Sequence, residues 1–184
     1  MAKPILEGTR VALWAPRDRD RDEFLAAVCA SRELHGDWVF PPFDAQTFRE
    51  FLRRAKEADR TTLLARAEGD RRLVGVVNIS NIVGGAFSNA TLGYYGFSGG
   101  VGDGRMTDAV RLATSYCFVE LRLHRVEANI QPGNVPSRRL IEHLGFRHEG
   151  FSPKMLRVGG EWRDHDRFAI TVEGWMPMRR QTDF

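Results

Sequence analysis

From Thr9 to Trp14 the chain sets Val11 and Leu13 against polar neighbours, the period of two that marks a strand with one buried face. Asp18 then offers a cap for a helix through Phe24, Leu25 and Val28. The stretch Leu34 to Pro42 cannot be helical near its prolines. Asp44 reads as the next cap, because Phe48, Phe51, Leu52 and Ala55 follow at helical spacing. The period changes after that. Thr61 to Glu68 and Leu73 to Ile82 are strand-like and separated by Gly69-Asp70-Arg71, which makes them a hairpin.

Val83 to Asn89 reads as a loop and Thr91 to Phe97 as a strand. The longest helix follows, with Met106, Ala109, Val110, Ala113, Cys117 and Leu121 stepping by three and four to form one apolar stripe. Arg125 to Gln131 is a strand, and Pro136 suits the first turn of a short helix that stops before Gly145. Arg147 to Val158 and Glu161 to Val172 form a second hairpin around Gly159-Gly160. Hairpins at both ends with helices between them predict a mixed α/β domain, in which the strands flanking the long helix run parallel. The domain is expected over residues 1–175, with a fraying tail over 176–184.

Composition narrows the class. With 184 residues, 42% hydrophobic and 28% charged, the chain is long enough to bury a core and reads as a globular protein. Its apolar runs, such as Leu73-Val74-Gly75-Val76-Val77, are too short to span a bilayer, and Met1 to Glu7 lacks a signal-peptide core. A cytoplasmic location without membrane contact is expected. Cys29 and Cys117 fall in helical patterns and are expected to be buried as small apolar residues. The net charge of +3 is spread among acids, as in Arg17 to Glu23, which argues for solvated surface over specific nucleic-acid binding and suits an anionic small ligand. His124, His143, His148 and His165 lack metal-site spacing and accompanying cysteines, so no metal is expected.

The most unusual stretch is Gly99-Gly100-Val101-Gly102-Asp103-Gly104, set between a strand and the long helix. Unpaired amides at a helix start, reached over bare glycine backbone, build an anion site. The lysine and hydroxyl of a Walker loop are missing, and the spacing does not match a dinucleotide fingerprint.

Leu92-Gly93-Tyr94-Tyr95, Leu123-His124-Arg125-Val126-Glu127-Ala128, Asn134 with Ser137, and Gly145-Phe146 with Glu149-Gly150 complete the pattern. Together with the glycine turn they resemble the GNAT acetyltransferase superfamily, and within it the RimJ/RimL branch of ribosomal-protein alanine or serine N-acetyltransferases. The resemblance runs from Thr9 to Trp175 and is sharpest from Leu92 to Phe151. It implies a single-domain GNAT-like α/β fold whose mixed, mostly antiparallel sheet is splayed between two central parallel strands and flanked by helices. It also implies acetyl coenzyme A as cosubstrate and a primary amine as acceptor.

By this resemblance the amides of Val101, Gly102, Asp103, Gly104, Arg105 and Met106 hold the coenzyme pyrophosphate, and Asn134 and Ser137 contact its arm. An amide on the strand around Tyr95 to Phe97 polarises the acetyl carbonyl. The family's turn usually carries glutamine or arginine at the place of Val101 and a basic or amide residue at that of Asp103, and many members have a tyrosine at that of Ile141. Ser137 is the candidate acid in its stead, or else a helix cap. Glu127 is the candidate base, on one strand face with Asn129 and Gln131, or else a structural carboxylate paired with an arginine. Trp38, Phe40, Asn78, Asn81 and Tyr94 are candidates for the acceptor side, with packing the alternative for the aromatics; one of Tyr94 and Tyr95 is expected in the core.

The leading acceptor is a protein N-terminal α-amine, with a ribosomal protein as a possible partner. A small-molecule amine such as an aminoglycoside, polyamine or amino acid is the alternative, and beyond it stand a coenzyme-binding module without turnover and a ribosome-associated or self-associating scaffold. A homodimer is compatible with all of these.

Overall fold

The first strand to form the sheet edge is a short one, β1 (Leu6–Glu7), folded back on β2 (Val11–Trp14). The computed structural model describes residues 3–175, so the expected tail over 176–184 lies outside the described residues. A 3-10 turn at Asp18–Asp20 continues into α1 (Arg21–Ala30), and the short α2 (Arg32–His35) follows. α3 (Ala45–Arg54) begins at Asp44, whose carboxylate accepts the Thr47 amide at 2.8 Å, a cap that satisfies one first-turn donor.

The hairpin β3 (Thr61–Ala67) and β4 (Leu73–Val83) leads to β5 (Asn89–Gly96). α4 (Arg105–Val119), β6 (Arg125–Ile130) and α5 (Val135–His143) come next, and the hairpin β7 (Arg147–Val158) and β8 (Glu161–Thr171) closes the order. The result is an open eight-stranded sheet in the order β1-β2-β3-β4-β5-β6-β8-β7.

One pair in this sheet is parallel. β5 and β6 are in register from Asn89↔Arg125 to Leu92↔Ala128, and there their pairing stops. Beyond that point β5 stays with β4 up to Gly96↔Gly75, while β6 stays with β8 up to Ile130↔Asp166. The strands therefore diverge in the middle of the sheet, leaving main-chain groups on both edges of a V without a ladder partner.

Each face of the sheet has its own core. On one side α4 and α5 cover Val77, Ile79, Leu92, Val126, Ala128 and Ile130, with Ala109, Val110, Ala113 and Cys117 of α4 fully buried. On the other side Phe24 of α1, Phe48 of α3 and Phe97 close over Leu64 and Val76. Phe24 lies 5.1 Å from Phe48 and 5.6 Å from Phe97 between ring centroids, an aromatic cluster in which each ring contributes about 2–3 kcal/mol of burial.

Two sequence expectations are corrected. Asp18 does not cap α1: it lies within the 3-10 turn, where the backbone amide of Arg17 donates to Asp20 at 2.8 Å instead. Cys29 is exposed while Cys117 is buried, because α1 turns only Phe24 and Val28 fully inward and Cys29 falls on the flank.

Candidate active site

The V in the sheet is walled by the residues that follow it in the chain. Where β5 ends, Phe97 donates its amide to Val74 at 2.8 Å, and Gly100 donates to Phe97 at 2.9 Å, so the chain turns sharply back across β4. A Cβ at Gly100 would lie 2.8 Å from the Val74 carbonyl oxygen, which leaves glycine as the residue that fits. Gly104, the residue before α4, has φ +85°, a left-handed conformation that side chains rarely adopt. This turn presents the mouth of α4 to the gap, and the first-turn amides of Met106 and Thr107 have no carbonyl one turn back to bond.

Asp103 folds onto that mouth. Its carboxylate accepts the Arg105 amide at 3.1 Å and pairs with the Arg105 guanidinium at 3.1 Å. Arg10 donates to the Asp103 carbonyl at 3.0 Å and stands 3.4 Å from Asp108, which Arg111 holds at 2.7 Å. Arg10, Arg105 and Arg111 thus neighbour the two acids, and the Asp103 side chain stays partly open to solvent.

On the far side of the gap Asn134 caps α5, accepting the Ser137 amide at 3.2 Å. The Ser137 hydroxyl is left for other work and donates to the Tyr94 hydroxyl at 2.9 Å, while Tyr94 donates to the Ser137 carbonyl at 3.0 Å. Burial pushes the Tyr94 phenol above its ordinary pKa, and the Ser137 bond only partly offsets this. Tyr95 points to the opposite face, where its ring meets His35 edge-on at 5.6 Å between centroids. Neither tyrosine is fully buried; the alternation of β5 sends one to each side of the sheet.

Two cavities flank the gap. The first, of about 810 Å³, gathers Val101, Gly102, Gly104 and Met106 at the α4 mouth with Tyr94, Tyr95, Asn134 and Ser137, and Trp38 also lines it. The second, of about 620 Å³, is lined by Phe40, Asn78 and Tyr95 among others. His35, Val39 and Tyr95 line both, so the two cavities border each other there.

Other sequence-derived candidates are not among the lining of these two cavities. Phe97 is 1% exposed and sealed in the aromatic cluster. Asp103 and Arg105 stand at the α4 mouth but are not among the residues lining these two cavities. Asn81 sits on exposed backbone near the end of β4 with φ +52°. Glu127 accepts from Arg125 at 2.9 Å, and Arg125 also donates to Glu149 at 3.2 Å. This pairing raises the Arg125 pKa and holds the Glu149 carboxyl below its usual range, mainly through the hydrogen bond between them. Beside Glu127 on the same face, Asn129 Oδ1 is buried with no hydrogen-bond partner among the described residues, and Gln131 donates to the Trp38 carbonyl at 3.2 Å.

His35 is the residue that periodicity could not single out. Its Nε2 lies 2.9 Å from the Gly96 carbonyl, so that nitrogen carries the proton, and the ring anchors the end of β5 beside the gap. A lone histidine before a proline-rich loop carries no pattern; its place depends on α2 docking against β5. That loop is seated by contact, the Trp38 indole lying on Gly133 and the Phe40 ring on Gly159. Among the described residues no cluster of His, Cys, Asp or Glu could hold a metal ion, and no helix is long and apolar enough to cross a membrane.

Residues 10–147 match the acetyltransferase (GNAT) domain family. A probable N-acetyltransferase of Bacillus subtilis, YjcK, is 44% identical over 101 residues, covering 55% of this chain and 56% of that protein. The ribosomal protein uS5-alanine N-acetyltransferase of Escherichia coli is 37% identical over 110 residues, covering 60% of this chain and 57% of that protein. The matched stretch thus spans little more than half the length of these curated relatives. Among solved structures, Mycobacterium smegmatis RimJ in complex with CoA-disulfide superposes with a TM-score of 0.80 at 30% identity, over 89% of this chain and 82% of that one. A spermidine N-acetyltransferase from Vibrio cholerae, in complex with CoA and spermine, shares the fold at a TM-score of 0.75 and 18% identity, over 90% of this chain and 98% of that one.

Proposed function

This chain belongs to the GNAT acetyltransferase family, and from that premise we propose that it moves an acetyl group from acetyl coenzyme A to a primary amine, with a protein N-terminal α-amine of the ribosomal type as acceptor. The observation that carries the reading is the 810 Å³ cavity, which joins the amides at the α4 mouth to the open edge of β5 and to Ser137. A protein that works on ribosomal chains meets them in the cytoplasm, which is the location this reading assigns. The uS5-alanine acetyltransferase and RimJ among its relatives support the peptide acceptor over a small amine.

The residues fit the coenzyme. Backbone amides from Val101 to Met106 hold its diphosphate, with the Arg105 amide available once the Asp103 carboxylate moves away. The open edges of β5 and β6 bond the amide groups of the pantetheine arm in the manner of an added strand, with Asn134 and Ser137 beside it. Since the Phe97 amide is committed to Val74, the alternation of the ladder turns the Gly96 amide toward the gap, where it polarises the acetyl carbonyl. His35 positions that amide by anchoring Gly96.

Transfer forms a C–N bond and breaks the C–S bond, and a proton must leave the attacking ammonium. Glu127 takes it through water, with Asn129 Oδ1 accepting along the same row. Arg125 keeps the carboxylate oriented. At the departing sulfur, Ser137 and Tyr94 act as a hydroxyl pair. A phenol raised by burial is a weaker acid than a thiol, whose ordinary pKa is about 8.5, so the pair stabilises the thiolate by hydrogen bonding.

The decisive experiment follows acetyl coenzyme A consumption over N-terminal peptides beginning with Ala or Ser, alongside spermidine and an aminoglycoside. Turnover with peptides and none with the polycations is expected; saturable coenzyme binding without thiol release on any amine would leave a binding module in place of an enzyme. Glu127→Gln should lower kcat about tenfold or more while coenzyme affinity changes little.

A further inference from the structure

We propose that the 620 Å³ cavity binds a carboxylate carried by the acceptor, so that the preferred substrate is a peptide with Asp or Glu within the first few residues behind the acetylated amine. The proposal deepens the acetyltransfer reading and rests on it. The cavity borders the coenzyme cavity at His35, Val39 and Tyr95, which puts it within reach of the segment behind the reacting amine.

Charge decides what that segment carries. Arg32 from α2, Arg54 from α3 and Arg60 from the approach to β3 line the cavity, against Glu50 as its acid. Among the described residues neither Arg32 nor Arg54 has a carboxylate within 4.0 Å, whereas the neighbouring Arg53 is paired with Glu57 at 3.4 Å. Arg60 is 3.6 Å from Glu57, beyond hydrogen-bond reach, and its Nε is buried without an acceptor. Glu57 thus answers part of the Arg60 charge, and among the described residues Arg32 and Arg54 carry the cavity's unpaired positive charge.

Phe40, Pro42 and Phe51 line the cavity beside the arginines as an apolar wall. The same wall accommodates the methylenes of a glutamate. A lysine or a polyamine at this point meets repulsion from the arginines and finds one acid.

The test compares peptides that differ only at the second or third residue, Glu against Gln against Lys, by kcat/KM. Glu is expected to exceed Gln by about fivefold to tenfold and Lys by more, and the preference shrinks at about 0.5 M salt. In the R32Q/R54Q double variant the ratio of Glu to Gln should fall to about one. Equal rates for Glu and Gln, or a preference for Lys, overturn the carboxylate site and leave acetyltransfer standing. If no peptide is acetylated, the peptide-acceptor reading falls, and calorimetry with the pre-acetylated Glu and Gln peptides then judges the cavity: tighter binding of the Glu peptide supports it, and equal or absent binding overturns it.

Discussion

Ser137 and Tyr94 hold each other through two hydrogen bonds across the gap, hydroxyl to hydroxyl at 2.9 Å and phenol to carbonyl at 3.0 Å. The pair ties the start of α5 to the edge of β5 where the two central strands have parted. The Ser137 hydroxyl turns to a ligand only by giving up its bond to the Tyr94 oxygen.

Interdependence of this kind has a kinetic signature. Ser137→Ala should lower kcat about tenfold or more, and Tyr94→Phe several-fold, with coenzyme Kd changed less than about threefold in either. The double variant should be no slower than Ser137→Ala alone, because the two act as a unit. Steady-state kinetics on the cycle decides; full additivity would mean that the hydroxyls work independently.

Asp103 occupies the amide of Arg105 at the α4 mouth, where a diphosphate is proposed to sit. Asp103→Asn removes the charge and keeps an oxygen able to accept the same amide. Coenzyme should bind about two- to fivefold more tightly at low salt, since a screened surface charge contributes at most about 1 kcal/mol, and the gain should vanish at about 0.5 M salt. Titration calorimetry across a salt series measures it; a flat affinity would place the carboxylate away from the ligand.

Gly100 lets the turn cross β4 at contact distance. In Gly100→Ala the new methyl lies 2.8 Å from both Cα and carbonyl oxygen of Val74, backbone atoms that cannot step aside. A loss of about 1–3 kcal/mol and weaker thermal protection by coenzyme A are expected. Gly102→Ala meets nothing within 4 Å but must adopt φ +89°, so its cost is smaller, about 1 kcal/mol. Thermal unfolding with and without coenzyme A separates the two.

Glu149 is held below its usual range by Arg125, and its side chain is 23% exposed. A carboxylate whose folded pKa is depressed stabilises the fold fully above its unfolded value of about 4.3, and that contribution disappears as pH falls through the lower folded value. Glu149→Gln should therefore cost about 1 kcal/mol at pH 7 and little at about pH 3. Urea unfolding of both proteins at the two pH values checks the sign.

Much of this protein was legible in local pattern. Period-two and helical spacing placed β2 to β8, α1 and α3 to α5 within a few residues, because each element must turn an apolar face inward whatever its neighbours are. The glycines of the 99–104 turn and the Asn134 to Ser137 spacing likewise marked the two sides of the gap, since backbone approach and helix capping are short-range demands. The edge strand Leu6–Glu7 escaped because two residues carry no period.

What the chain alone could not decide was which side chains meet across distances in sequence. Residues 43 apart join in the Ser137–Tyr94 pair, and 61 separate His35 from Gly96. The arginines of α2, α3 and the β3 approach face one cavity although no local pattern connects them. Local patterns record how a segment avoids water; the partner that a polar group finds is set only when sheet order and the parting of β5 from β6 bring the segments together.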